Sequence, residues 1–243
     1  MKKYYPLDNE HATGLYKAIG ETIEYFYPVG LSAWDAEYHE FPGIKELNEI
    51  LGEQIGNDKN YKKSWGSFLK KLRKESDKQI TSTTYGFVPG FSADLILDSY
   101  EDEVLRRVKR IAFAVSLIGP FYSICGIDET FIKDKRDDLP ISYHAINVVT
   151  GSPYKEFETD FNLIEGVIKN EFPGYKLVPF EICMKYLHNV ETLHSMGQEG
   201  TVYNALFNHL FNFYTHFYSR GDRSYGAERN PNIGVTLAPP PKN

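Results

Sequence analysis

Between Ile111 and Leu117 the chain sets Ile111, Phe113, Val115 and Leu117 in alternation with Ala112, Ala114 and Ser116. A repeat of two is the period of an extended strand, and because neither register carries charge, both faces of this strand must be covered. Gly119-Pro120 ends it. Two further β-branched and aromatic runs follow, residues 121–132 and 141–150, separated by a charged loop at residues 133–140. Consecutive antiparallel strands are the simplest topology for that order. Residues 91–97 supply another strand, while residues 101–110 fit a strand extension or a short helix.

On either side the period changes to that of a helix. Leu15, Ile19, Ile23 and Phe26 share one helical face, with Asp8 placed as N-cap and Pro28 and Gly30 as the stop. Ile44, Leu47, Leu51 and Ile55 form a second stripe, and Tyr61, Trp65, Phe68, Leu69 and Leu72 a third. Beyond the strands, Phe157, Phe161, Ile164 and Ile168 predict a helix that packs on the sheet. Pro179 makes residues 175–187 an edge strand leading into a loop or short helix. Val202, Leu206, Leu210, Phe213 and Phe217 predict a long closing helix. The expected fold is α+β: an antiparallel sheet packed by helices, with an N-terminal helical layer. Residues 1–220 are expected to form one domain, with residues 1–78 as the layer and 79–220 as sheet plus helices; residues 221–243 read as a loosely ordered Pro-containing tail.

The formal net charge of −6 hides an uneven distribution. Residues 8–53 hold ten acidic residues against Lys17 and Lys45, whereas residues 59–78 hold eight basic residues against Glu75 and Asp77. An acidic surface steers cationic partners, and a basic helix meets phosphates or lies solvated beside its acidic neighbour. The two cysteines, Cys125 and Cys183, are too few for a disulfide framework and form no CxxC pair. MKKYYPLDNE has no apolar stretch after its lysines, and the apolar run at residues 111–118 is too short to span a bilayer. A reducing, cytoplasmic setting is the expectation.

No dinucleotide, P-loop, zinc-protease, nucleophile-elbow or EF-hand motif occurs in the sequence. This weighs against enzyme and cofactor roles without excluding a site assembled from distant residues. Three constellations remain. His188, Glu191 and His194 form HxxExxH, but Gly197 and Gly200 mark the region as a polar loop, so no metal is expected. Cys125, with Asp128 beyond it, and His144 fall on strands expected to be neighbours, which would allow a thiolate and imidazole to pair in a catalytic alternative. His209 and His216, seven apart on the expected last helix, read as core edges. The basic helix, with Trp65 free to stack on a base, is the alternative nucleic-acid candidate, although a pI near 5.7 makes that partner unlikely for the whole chain.

In the C-terminal third, Phe172-Pro173-Gly174-Tyr175, Leu177-Val178-Pro179-Phe180-Glu181 and Gly200-Thr201-Val202-Tyr203-Asn204-Ala205-Leu206-Phe207 resemble bacterial immunity proteins that accompany polymorphic or contact-delivered toxins. The shared feature is a T-V-x-x-x-L-F helix start after a Pro-containing strand. The resemblance implies an acidic cytosolic protein that binds one cognate toxin domain and blocks it; it carries over no catalytic residue. The residues read independently agree in kind, since clustered acids with aromatics suit capture of a basic protein. The expected contacts are Glu21, Glu24, Tyr25, Tyr27, Trp34, Asp35, Glu37, Tyr38, Glu40, Glu46, Glu49 and Glu53.

Overall fold

A computed structural model describes residues 2–7, 13–86, 88–133, 143–195, 197–209 and 218–221. In chain order it runs β1 (Tyr4–Tyr5), α1 (Gly14–Phe26), α2 (Ala36–Glu40), α3 (Pro42–Leu51), α4 (Asp58–Tyr61), α5 (Ser67–Glu75), β2 (Gln79–Ser82), β3 (Gly90–Glu101), β4 (Leu105–Ser116) and β5 (Phe121–Ile132). It continues through β6 (Tyr143–Thr150), α6 (Glu158–Glu171), β7 (Lys176–Leu177), α7 (Phe180–Cys183), β8 (Tyr186–Leu187), α8 (Val202–Leu206) and β9 (Tyr218–Arg220). π-helical turns at Gly52–Gly56 and Lys62–Gly66 join α3 to α4 and α4 to α5. No helix among the described residues is long and apolar enough to cross a membrane.

The fold is α+β. The sheet order is β2-β3-β4-β5-β6-β9, with β2 through β6 antiparallel, β9 parallel to β6, and β7 parallel to the first two residues of β5. The alternation on β4 sorts the side chains as its period requires. Ile111, Phe113 and Val115 enter a core with α5, α6 and Trp65, while Ala112 and Ala114 enter a second core with α1, α3, α7 and α8. On β5, Tyr122 and Ile124 join the first core, and Phe121, Cys125 and Ile127 the second.

The N-terminal helices therefore do not stack as one layer. α1 and α3 cover one face of the sheet and α5 covers the other, with Ile55, in the π-helical turn between them, touching both cores. Residues 101–110, left open by the sequence, are mostly strand: Asp102 Oδ1 accepts from the amides of Val104 and Leu105, turning β3 tightly into β4. The closing helix is shorter than its stripe predicts. Thr201 caps α8 in a reciprocal arrangement with Asn204, but Phe207 leaves helical dihedrals at φ −130 and ψ −75. There its backbone lies so close to Gly90 that a Cβ on that glycine would sit 3.0 Å from the Phe207 Cα. Leu210, Phe213, His216 and Phe217, the Asp8 cap, and residues 222–243 of the expected tail lie outside the described residues.

α3 crosses the end of α1 at Gly43, where an added Cβ would stand 2.1 Å from the Tyr25 carbonyl oxygen and 2.7 Å from the Phe26 Cα. Backbone cannot yield as a flexible side chain would. Gly43→Ala is expected to cost at least about 1–3 kcal/mol, read as a lower urea midpoint. An unchanged midpoint would contradict this packing.

Candidate functional site: an acidic layer with a pinned tryptophan

The acidic residues of α1–α3 lie on the solvent side of their layer, because the apolar stripes of the same helices face the sheet. Glu21, Glu24, Glu37, Glu40, Glu46, Glu49 and Glu53 are exposed. Lys17 pairs with Glu21 and Lys45 with Glu40, so only part of the negative charge is neutralised in place. The Tyr25 hydroxyl donates to Glu46 Oε2 at 2.6 Å, tying α1 to α3 across their outer surfaces. Two expected contact residues are not at the surface. Tyr27 and Tyr38 are buried, their hydroxyls donating to the carbonyls of Ala205 and Glu191, and they join this layer to the C-terminal half of the chain.

Trp34 is the most exposed large apolar side chain among the described residues, at 71%. The loop that carries it is fixed. Glu191 Oε2 accepts from Ser32 Oγ (3.2 Å), from the Ala33 amide (2.9 Å) and from the Gly197 amide (2.9 Å). Asp35 Oδ2 accepts from the Ser32 amide at 3.0 Å, and the Gly30 amide donates to the Asn189 carbonyl at 2.7 Å. Trp34 Nε1 lies 3.8 Å from where a Cβ on Gly197 would sit, and Gly197 has φ +77, a conformation glycine adopts without strain.

The middle residue of HxxExxH is thus an anchor for the tryptophan loop. Its two histidines go elsewhere: His188 Nδ1 is 3.2 Å from Glu199 Oε1, and the His194 ring packs tilted at 38° against His209 with centroids 4.2 Å apart. No three His, Cys, Asp or Glu side chains among the described residues are grouped to hold a metal. His209 lies past the end of α8, and burial followed by the neighbouring His194 lowers its pKa. Glu199 Oε2 also accepts from Lys2 Nζ and the Tyr4 hydroxyl, each at 3.0 Å, clasping β1 against β8. Burial pushes the Glu199 carboxyl up, but the hydrogen bonds from Lys2, the Asn189 amide and Tyr4 outweigh it and hold the pKa at about 2.

The thiol and imidazole of the catalytic alternative do not meet. His144 is in register with Phe131, six residues along β5 from Cys125, about 20 Å in extended chain. Cys125 faces the apolar core opposite Ala112, and burial pushes its thiol up to about 12. His144 Nε2 instead lies 2.9 Å from Glu129 Oε2, with the imidazole stacked on Phe131. Arg110 then bridges Glu129 and Asp94, each through a 2.7 Å contact. Burial raises the Asp94 pKa against the pull of Arg110; for Glu129 burial acts in the same sense, but Arg110 and His144 outweigh it and the pKa is lowered.

Asp128 points to the opposite face, where Arg107 grips it through Nε at 3.2 Å and Nη2 at 2.9 Å. Beside it runs a groove of about 520 Å³ lined by Asp98, Tyr100, Leu105, Arg107, Lys109 and Thr130. Sequence reasoning assigned no structural role to Glu191, Glu129 or Arg110. For the strand pair a signal existed, since charged residues inside runs of strand period mark where a core stops; for Glu191 only its place in the histidine motif drew notice. No known protein family, characterised protein or solved structure matches this chain.

Glu191→Ala strands three donors of the tryptophan loop, and charged acceptors of this kind are worth about 1.5–3 kcal/mol each. Because the other tryptophan, Trp65, is buried, red-edge emission reports Trp34. The substitution is expected to lower the anisotropy of that emission, and an unchanged anisotropy would contradict the anchoring role. The Glu199 pKa is depressed from its ordinary 4.5, so its stabilising contribution is complete above that value and is lost as pH falls toward 2. Glu199→Gln should therefore unfold more easily than wild type at pH 7, with the two midpoints converging near pH 2.

Proposed function

We propose that this chain is a protein-binding protein that captures a basic partner on the α1–α3 layer. Its biological role, on this reading, is immunity: neutralisation of a cognate bacterial toxin domain in the cytoplasm. The observation that carries the reading is the exposed Trp34 on a loop whose backbone Glu191 and Asp35 hold. An indole left in water is normally a liability, whereas one carried on a fixed loop spares the cost of ordering that loop on binding and supplies the area typical of interface hot spots. The exposed carboxylates of the same layer supply the second half, long-range steering of a cationic surface. The immunity role also draws on the resemblance of the C-terminal segments, among which Thr201 starts α8 by a side-chain cap.

The test is association with the product of the neighbouring gene, expressed as its C-terminal domain. Glu46→Lys, Glu49→Lys and Glu53→Lys together are expected to slow association at low salt by about tenfold or more and to flatten its salt dependence. Trp34→Ala is expected to speed dissociation by about 30-fold, the scale of a hot-spot residue. An on-rate that ignores both charge reversal and salt removes the reading.

A further inference from the structure

The opposite helical layer carries the inverse charge. α4, the π-helical turn at Lys62–Gly66 and α5 form one helical run whose apolar side, Trp65, Phe68, Leu69 and Leu72, enters the core on the other face of the sheet. Two cations of this run are paired where they stand, Lys62 with Asp58 at 2.6 Å and Lys71 with Glu171 at 2.6 Å, while Arg73 keeps its charge and donates to the Ile80 carbonyl at 3.0 Å. Lys59, Lys63, Lys70 and Lys74 are exposed and have no acidic or aromatic partner among the described residues. Glu75 and Asp77 are exposed acids near their C-terminal end. The acids of α1–α3 belong to the layer over the other face of the sheet, except that Glu53, in the π-helical turn after α3, accepts from Asn60 Nδ2 through its carbonyl at 3.0 Å and so lies by the start of the lysine row.

We infer that this lysine row is a second binding surface, for the phosphate backbone of duplex nucleic acid, read without regard to sequence. The four ammonium groups are spread over about 20 Å of helix, a length over which a duplex presents roughly a dozen phosphates. Lysine contacts to phosphates carry no sequence information, and the choice of duplex over single strand follows from Trp65. Its ring is fully buried, stacked on Phe68 at 4.7 Å and on Phe91 at 5.3 Å, with Nε1 directed to Ser82 Oγ. It cannot stack on a base, which removes the aromatic platform that single-strand binders use. A membrane surface is the poorer match, because an interfacial helix inserts its apolar face and here that face is the protein core. No large hydrophobic residue between Asp35 and Thr84 is exposed. The inference does not rest on the immunity role, since it uses a different layer.

The experiment is fluorescence anisotropy of a labelled 20-base-pair duplex of mixed sequence, titrated with the full chain and with K63Q/K70Q/K74Q. Wild type is expected to bind with a slope of log K against log salt near −3.6, four phosphates at about −0.9 each. The variant should fold with an unchanged melting temperature, bind at least about tenfold more weakly at 50 mM salt, and give a slope near −0.9. Failure of wild type to bind duplex at 50 mM salt overturns the inference. So does equal binding by the folded variant, or binding to vesicles rich in anionic phospholipid without binding to duplex.

Discussion

Everything in this molecule depends on β4 being buried on two faces of unequal depth. Its odd residues, Ile111, Phe113 and Val115, are large and meet a core of rings built from Trp65, Phe68 and Phe91. Its even residues, Ala112 and Ala114, are small, and they admit the elements of the other face to close range. There the Tyr27 hydroxyl reaches the Ala205 carbonyl and Cys183 Sγ stands 3.7 Å from Ser123 Oγ. A sheet covered this way keeps its two helical layers apart. The charge asymmetry written along the first third of the sequence becomes an asymmetry through space, acids over one face and unpaired lysines over the other.

The core stops where the strands turn polar, and the stop is made by ion pairs. Asp128 and Glu129 are consecutive, lie at a register shift in the β5–β6 ladder, and point to opposite faces. Each is nearly buried and each holds an arginine from β4, Arg107 on one side and Arg110 on the other. Removing an arginine would strand a buried carboxylate, and removing Glu129 would leave Arg110 poorly hydrated, whereas Arg107, with its side chain 55% exposed, would return to water if Asp128 were lost. These contacts occupy the carboxylates gathered here, and the nearest thiol, Cys125, is shut in the core.

The alternation at residues 111–117, the stripes of α1, α3 and α6, and the hairpin order of β3 to β6 were legible from the sequence, since period alone sets which side of an element is apolar. Which face each helix would cover was not, because the pattern says that Phe68 and Ile44 are buried but not against what. The same limit explains Tyr27 and Tyr38, grouped with the acidic surface by nearness in sequence yet turned inward to reach carbonyls in the C-terminal half of the chain. It explains Trp65 too, whose place among lysines suggested a stacking platform while its helical register placed it in the core. Trp34, grouped with the expected contacts, is exposed, but its loop is held by Glu191, far away in sequence, and no local pattern could supply that.

The central claim is that the pinned tryptophan and the carboxylates of α1–α3 form the surface that meets a partner. Hydrogen exchange of the chain alone and saturated with the basic partner found in the association experiment tests it most directly. The account predicts slowed exchange in the loop around Trp34 and along the outer turns of α1–α3, with little change on β3–β5 beside the Arg107 groove. Protection confined to that groove, with the Trp34 loop exchanging as in the free protein, would contradict it.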